Sequence, residues 1–256
     1  DKAWKAYLPH AGKAMDVSSV LPDGGRLLPS GTDVMFDNRT HWMTDVEGGN
    51  YRVFAIDGSD AQRGDATGEN MIERYCTGNF LAGQRLIYAS ASGLPVGRYI
   101  FKAVAQKGAD GGVIELFAND DRSPVTSVKV LRETEVATDV LDQDLTVGVE
   151  SGLNNACQWV SFADVALEYQ SPYMLLEEAV AASDTLTYGE DKGGALKKAA
   201  DEARVLLVSG EARERMAAYH TLLDAMEQYR LDNASVAHPV DLTARIQNAG
   251  FDIGNT

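Results

Sequence analysis

Hydrophobic and polar residues alternate along much of the first part of the chain. In "GRYIFKAVAQ" (97–106), Tyr99 and Phe101 fall on one face, whereas Lys102 and Gln106 fall on the other. A two-residue period of this kind is typical of a strand with one buried face. The preceding "SGLPV" ends at Gly97, which permits a tight turn into the strand.

Six further segments with strand-like patterns are bounded by clusters of Gly, Asp, Asn and Pro. They are "NYRVFAID" (50–57), "GQRLIYASAS" (83–92), "GGVIELFAND" (111–120), "VTSVKV" (125–130), "DLTVGVES" (144–151) and "CQWVSFADVALEYQ" (157–170). Because "KGADGG" separates 97–106 from 111–120, these two are predicted to form a hairpin. No helical pattern separates the strands, so we expect an antiparallel sandwich rather than βαβ units.

The pattern changes to a helical period near Ser171. The predicted helices are "SPYMLLEEAVAAS" (171–183), "GALKKAADEARVLLV" (194–208) and "SGEARERMAAYHTLLDAMEQYRL" (209–231). Ser171 and Ser209 are the expected N-caps, and Pro172 takes the first helical position. The third helix places Met216, Tyr219, Leu223 and Met226 on one apolar stripe. Three consecutive one-sided helices indicate a small antiparallel bundle.

These patterns predict a mainly β plus α chain with three parts. Residues 1–170 form the sandwich, 171–236 the three-helix bundle and 237–256 a tail. The tail segment "VDLTARIQNAGFDI" echoes "MDVSSVLPDGGRLL" near the front, beginning with Asp241 against Asp16. Two interpretations stay open: a chance match in turn-rich sequence, or the start of a second sandwich.

The charge balance restricts the partners. The chain has 23 Lys and Arg residues against 38 Asp and Glu residues, a net charge of −15. Because an acidic surface repels phosphate, we expect no nucleic-acid partner. No apolar run is long enough to span a membrane. The chain starts at Asp1 without a signal peptide, as expected of a processed secreted or surface protein. Cys76 and Cys157 fit either a disulfide or two unpaired thiols.

No catalytic constellation can be assembled from the sequence. The four histidines, His10, His41, His220 and His238, have no partner at a zinc-ligand spacing. Neither a G-x-S-x-G nucleophile elbow nor a phosphate-binding glycine loop is present. We therefore expect a non-catalytic protein.

Two polar stretches carry aromatic residues suited to a sugar site. Aromatic rings stack on the apolar faces of sugars, while amide and guanidinium groups bind the hydroxyls. The candidates in "MFDNRTHWMTD" and "MIERYCTGNF" are Asn38, Arg39, Trp42, Arg74, Tyr75 and Asn79. The alternative is that Trp42 fills the open end of the sandwich and Tyr75 packs on a strand.

One loop has the composition of a calcium site. The stretch "DGSDAQRGD" clusters Asp57, Asp60 and Asp65, which supply the hard oxygen ligands that Ca²⁺ prefers. The spacing is not that of an EF-hand, and a solvated loop explains the same residues.

Four motifs together resemble the galactose-binding-like β-sandwich modules of secreted glycan-utilisation proteins from gut-type bacteria. They are "SGLPVGRYIFKAVA", "LTVGVES", "NACQWVSFADVALEY" and "HPVDLTARIQNAGFDIGNT". The resemblance covers roughly residues 16–170 and the last fifteen or so. One departure is "DVSSVLPDGGRLL", where the family has an Asn-Pro-x-Phe element.

The resemblance implies a jelly-roll sandwich, a secreted or outer-membrane surface location and carbohydrate binding, without indicating a particular sugar. It also implies a structural role for Trp159 in the core. Two other functions remain open. The chain fits an accessory region of a larger glycoside hydrolase, or a structural or adhesin spacer that contacts surface partner proteins.

Overall fold

A computed structural model describes residues 14–25, 42–46, 50–56, 63–76, 78–108, 111–152 and 157–242. The chain divides into two compact units, Asp1–Ser171 and Pro172–Thr256. Among the described residues, no helix is both long and apolar enough to cross a membrane.

In the described part of the first unit, ten strands form two antiparallel sheets. They are β1 (Met15–Asp16), β2 (Asn50–Ala55), β3 (Asn70–Tyr75), β4 (Arg85–Ala91), β5 (Gly97–Lys107), β6 (Ile114–Ala118), β7 (Asp121–Pro124), β8 (Arg132–Val140), β9 (Leu145–Ser151) and β10 (Trp159–Gln170). The first sheet has the order β2-β3-β10-β5-β8, with β1 also paired to β10. The second sheet has the order β4-β9-β6-β7. Short 3-10 turns cover Ser18–Val20 and Pro22–Gly25.

Alternating side chains of both sheets build one shared core. Phe101 of β5 and Phe162 of β10 belong to the same buried cluster as Leu116 of β6 and Val147 of β9. The two-sheet sandwich expected from the alternating patterns is therefore present. A smaller cluster on the outer face of the first sheet joins Met71, Val104 and Ala163 to residues of flanking loops.

The predicted hairpin between 97–106 and 111–120 is wrong. β5 pairs with β10 and β8 in the first sheet, whereas β6 pairs with β7 and β9 in the second. The hairpin turn lies instead at Asn119 and Asp120, between the paired residues Ala118 and Asp121. Asn119 has a φ of 50°, a conformation that Asn tolerates well and that tight hairpin turns require.

The strand predicted at 125–130 is also wrong, because this segment makes isolated bridges, at Val128 to Lys107 and at Val130, and no continuous strand. Four observed strands, β1, β3, β7 and β8, were not predicted. The two predicted cysteine alternatives are resolved, since Cys76 and Cys157 form no disulfide.

The second unit contains α1 (Pro172–Asp184), α2 (Ala195–Ser209) and α3 (Ala212–Asp232). Each helix contacts the other two. The expected N-cap at Ser209 is wrong, because Glu211 caps α3 through a reciprocal capping box with Glu214. The apolar stripe predicted for the third helix is also wrong by one position in the middle of α3, where Leu222 is buried instead of Leu223.

Candidate functional site

The structure places Trp42 inside the sandwich. Its side chain is only 5% exposed and belongs to the core cluster of both sheets. The next residue, Met43, exchanges two backbone hydrogen bonds with Tyr88 at 2.8 and 2.9 Å, which fixes this segment on the edge of β4. This burial favours the packing interpretation of Trp42 over a role as a sugar platform.

The three candidates near the end of β3 have different surroundings. Arg74 is buried and pairs in register with Val160, a core residue of β10. Tyr75 is 40% exposed and stands directly opposite Trp159. Asn79 is exposed in the segment that follows. The structure therefore leaves Tyr75 and Asn79 accessible.

The remaining candidates are two predicted sugar-binding residues and the three predicted calcium ligands. Asn38, Arg39, Asp57 and Asp60 lie outside the described residues. Asp65 accepts hydrogen bonds from the Glu133 backbone N–H at 3.1 Å and from Arg132 Nη1 at 2.8 Å. These contacts lower the pKa of Asp65, the Glu133 amide having the largest effect. Within the described ranges, no three His, Cys, Asp or Glu side chains are grouped for a metal. The calcium site stays a prediction.

An open cleft of about 770 Å³ lies on the outer face of the second sheet, and the sequence reasoning did not find it. Its walls combine strands β4, β6, β7 and β9 with Asp139 near the end of β8 and with the loops around 119–120 and 141–144. The lining residues are Gly83, Arg85, Phe117, Asn119, Asp120, Arg122, Asp139, Leu141, Asp142, Asp144, Thr146 and Glu150.

A row of cross-strand neighbours forms the floor beside this cleft. In register, Tyr88 lies opposite Gly148, Gly148 opposite Phe117, and Phe117 opposite Arg122. Side chains at directly opposite positions of antiparallel strands share a face. Gly148 is required here, because a Cβ atom would lie 2.2 Å from the backbone oxygen of Ile87.

Arg122 covers the ring of Phe117. Its guanidinium carbon lies 5.2 Å from the ring centroid, within the range of a cation–π contact. Its Nε donates to Glu150 Oε1 in an ion pair, and its Nη1 donates to the backbone oxygen of Asn119 at 2.6 Å. Phe117 and Glu150 are both buried. Arg122 is therefore held in one position over an apolar base.

Arg85 repeats this arrangement on the neighbouring side of the cleft. Its guanidinium carbon lies 4.2 Å from the ring centroid of Tyr88, and its Nε donates to Asp45 Oδ2 at 2.8 Å. The hydrogen bond to Asp45 raises the pKa of Arg85, and the negative charge of Glu150 adds to this effect. Glu150 thus acts electrostatically on Arg85 while pairing directly with Arg122.

Asn119 holds the two loops at the rim together. Its Oδ1 accepts from the backbone N–H of Thr146 at 2.8 Å, and its Nδ2 donates to the backbone oxygen of Asp144 at 3.2 Å. The cleft therefore presents guanidinium donors and carboxylate acceptors on a well-supported floor. Such a set of donors and acceptors suits a ligand with several hydroxyl groups.

Part of this site could have been found from the alternation alone. In "GGVIELFAND" and "DLTVGVES", Phe117, Gly148 and Glu150 fall on the faces opposite the core residues. Arg85 and Arg122 are 37 residues apart in the chain (122 − 85). Nothing in the sequence indicated that both lie beside Glu150. Their convergence depends on the strand order of the second sheet.

Comparisons with known proteins give low similarity. No protein-family model matches the sequence, and no curated protein matches it. A cyclase from Fischerella sp. TAU is similar in structure, with 16% identity over 62% of this chain and 98% of that chain, at a TM-score of 0.46.

Carbohydrate-binding modules recur among the similar structures, as the sequence resemblance predicts. TmCBM61, solved with β-1,4-galactotriose, is 17% identical over 49% of this chain and 85% of that chain, at a TM-score of 0.36. A structure of CBM51-2 and INT domains from Clostridium perfringens ZmpB, solved with GlcNAc, is 13% identical over 73% of this chain and 44% of that chain, at a TM-score of 0.30. TM-scores of this size carry no argument about the function of this chain.

Proposed function

We propose that the first unit is a non-catalytic carbohydrate-binding module and that its cleft binds a glycan. The observation that supports this most is the group formed by Arg85, Glu150 and Arg122. The two guanidinium groups each lie over an aromatic ring, and a buried carboxylate pairs with one and acts electrostatically on the other.

A sugar is the ligand that fits this group best. Neighbouring hydroxyl groups on a sugar ring can donate to a carboxylate and accept from a guanidinium at the same time. The aromatic rings below the arginines limit their freedom to move, so less conformational entropy is lost on binding. Recognition therefore comes from polar groups that are already in place.

We further propose that the sandwich has a jelly-roll topology and that the three helices serve as a compact spacer bundle. We also assign the protein to the secreted or cell-surface proteins that handle glycans. Under the same proposal, the chain is an accessory region of a larger glycan-handling protein, and calcium at the loop with Asp57, Asp60 and Asp65 stabilises the module.

The test is a glycan array followed by titration calorimetry, each with and without calcium. Glu150→Gln keeps the shape of the side chain but removes the charge that pairs with Arg122. Since hydrogen bonds to charged groups contribute about 1.5–3 kcal/mol, the affinity is expected to fall about 10- to 100-fold. The sandwich should remain folded.

Glu168→Gln is the matched control, because it makes the same change at another ion-paired glutamate. Glu168 pairs with Lys102 at 2.9 Å, away from the residues that line the cleft. This variant is expected to bind as tightly as the parent. Equal affinities for the parent and Glu150→Gln would contradict the cleft as the binding site. The absence of any glycan ligand would contradict the proposed function and favour the spacer or adhesin alternative.

A further inference from the structure

Two aromatic side chains stand side by side on the outer face of the first sheet. Tyr75, at the end of β3, lies directly opposite Trp159, at the start of β10. Tyr75 is 40% exposed, and Trp159 is half-buried and absent from the core cluster. The expected core position of Trp159 is therefore wrong. By alternation, Trp159 faces away from the core that contains its neighbour Val160.

The same face carries two buried polar side chains. Ser161 lies two residues beyond Trp159 and pairs in register with Gln106 of β5. Both are 0% exposed, and neither Ser161 Oγ nor Gln106 Oε1 has a hydrogen-bond partner among the described residues. A buried polar atom without a partner costs about 1–3 kcal/mol. Because both side chains are fully buried, these two atoms lie beneath the surface beside the aromatic pair and do not contact a ligand there.

The segment after β3 adds an exposed amide to this surface. Backbone hydrogen bonds from Cys76 to Gln158 at 2.9 Å and from Phe80 to Cys157 at 3.0 Å keep the segment alongside the start of β10. Asn79, within this segment, is exposed. An aromatic pair bordered by an exposed amide has the composition of a surface that stacks sugar rings.

We propose that Tyr75, Trp159 and Asn79 form a second glycan-binding surface, separate from the cleft. The ligand class rests on the proposed function, whereas the surface itself rests on these three residues and their neighbours. The cleft binds hydroxyls through charged groups, whereas this surface binds the apolar faces of sugar rings. The two surfaces therefore recognise different parts of a glycan chain.

The position of the two surfaces determines the stoichiometry. They lie on the outer faces of opposite sheets, and the two sheets of a sandwich pack about 10 Å apart with their outer faces turned away from each other. A short oligosaccharide cannot contact both. Each sandwich is therefore expected to bind two short oligosaccharides, and to link two chains of a long polysaccharide.

The experiment is titration calorimetry of the full chain with cellohexaose, xylohexaose and mannohexaose, combined with intrinsic tryptophan fluorescence. The parent should bind two molecules of the active probe and change its emission, because Trp159 lies at the second surface. Tyr75→Ala should bind one molecule, with at least a tenfold smaller fluorescence change. Glu150→Gln should also bind one molecule while keeping the change in emission.

The outcomes separate this inference from the proposed function. One bound molecule in the parent, lost in Glu150→Gln and retained in Tyr75→Ala, would overturn the second surface and leave the cleft intact. One bound molecule lost only in Tyr75→Ala would support the second surface and remove the cleft. If the parent bound no probe and no array glycan, both proposals would fall. Thermal melting of each variant checks that the sandwich is folded.

Discussion

At the start of β5, two tyrosines surround the turn that ends at Gly97. Tyr99 Oη donates to the backbone oxygen of Pro95 at 3.0 Å, and Tyr169 Oη donates to that of Val96 at 2.9 Å. The two rings lie 5.0 Å apart. The turn that leads into β5 is therefore held by hydrogen bonds from Tyr99 of β5 and from Tyr169 of β10.

Gly97→Ala is expected to destabilise the sandwich strongly. The added Cβ atom would lie 2.5 Å from the Tyr169 ring and 2.6 Å from the backbone oxygen of Gln170. Overpacking of this kind costs about 3 kcal/mol. Gly93→Ala is the control, since an added Cβ atom at Gly93 would meet open space. Its φ of +69° is unfavourable for alanine, so this variant is expected to lose only about 1 kcal/mol.

Urea unfolding followed by tryptophan fluorescence measures this pair of variants. Trp42 and Trp159 lie in the described part of the first unit, so their emission reports on that unit. A loss of stability at Gly97→Ala no larger than at Gly93→Ala would contradict the close approach of Tyr169.

Tyr99 and Tyr169 also give the sandwich a defined response to alkaline pH. Burial raises the pKa of both phenols, and for Tyr99 the neighbouring Tyr169 adds to the effect. In the unfolded chain, the pKa of a tyrosine is about 10. The folded state therefore keeps both phenols neutral above that pH, while the unfolded chain is stabilised by ionisation.

The resulting contribution to stability is complete below about pH 10 and is lost as the pH rises further. Tyr169→Phe should weaken this alkaline loss, and at neutral pH it should cost about 1 kcal/mol for the missing hydrogen bond. Urea midpoints between pH 7 and 11 measure both effects, with Tyr75→Phe at an exposed position as the control. An alkaline loss in Tyr169→Phe as steep as in the parent would contradict this role.

At the scale of the elements, the sequence predicts best where one face of a strand or helix is buried and the other is not. β5 and β9 alternate cleanly and were found. β3 was missed because both of its faces are covered: Met71 packs in the outer cluster and Ile72 in the core. β8 was missed because it lies at the edge of its sheet and begins with charged residues, which protect such edges.

Strand pairing could not be predicted from local patterns. The turn-like "KGADGG" suggested a hairpin, yet the chain crosses there from one sheet to the other. Pairing depends on which strands share the core, and that information is non-local. For the same reason, the alternation of residues along single strands indicated parts of the cleft floor. The proximity of Arg85, Glu150 and Arg122 could not be predicted, because it depends on the strand order of the second sheet.

Two neighbouring leucines in the middle of α3 differ in burial. Leu222 is fully buried, whereas Leu223, the residue expected on the stripe, is 36% exposed. Leu222→Ala should cost about 2–5 kcal/mol because it leaves a cavity. Leu223→Ala should cost well under about 1 kcal/mol.

Circular dichroism at 222 nm during urea unfolding compares the two variants, because the described helices of eight or more residues lie in the second unit. Equal losses for Leu222→Ala and Leu223→Ala, or a larger loss for Leu223→Ala, would contradict the observed orientation of α3.

At the scale of the whole molecule, the net charge of the chain and the charges that line the cleft both favour an uncharged ligand. The net charge is −15, and the cleft is lined by five carboxylates, Asp120, Asp139, Asp142, Asp144 and Glu150, against two arginines. Both arginines are already paired, with Asp45 and Glu150. Polyanions are therefore poor ligands, and a neutral glycan is the partner that the account favours.

The most direct test of the central claim is a map of backbone amide shifts in ¹⁵N-labelled protein, recorded while the glycan found on the array is added. Glycan binding in the cleft is expected to shift the amides of Arg85, Phe117, Arg122, Gly148 and Glu150, on all four strands of the second sheet. Shifts confined to other parts of the protein, with these five amides unchanged at saturation, would contradict it.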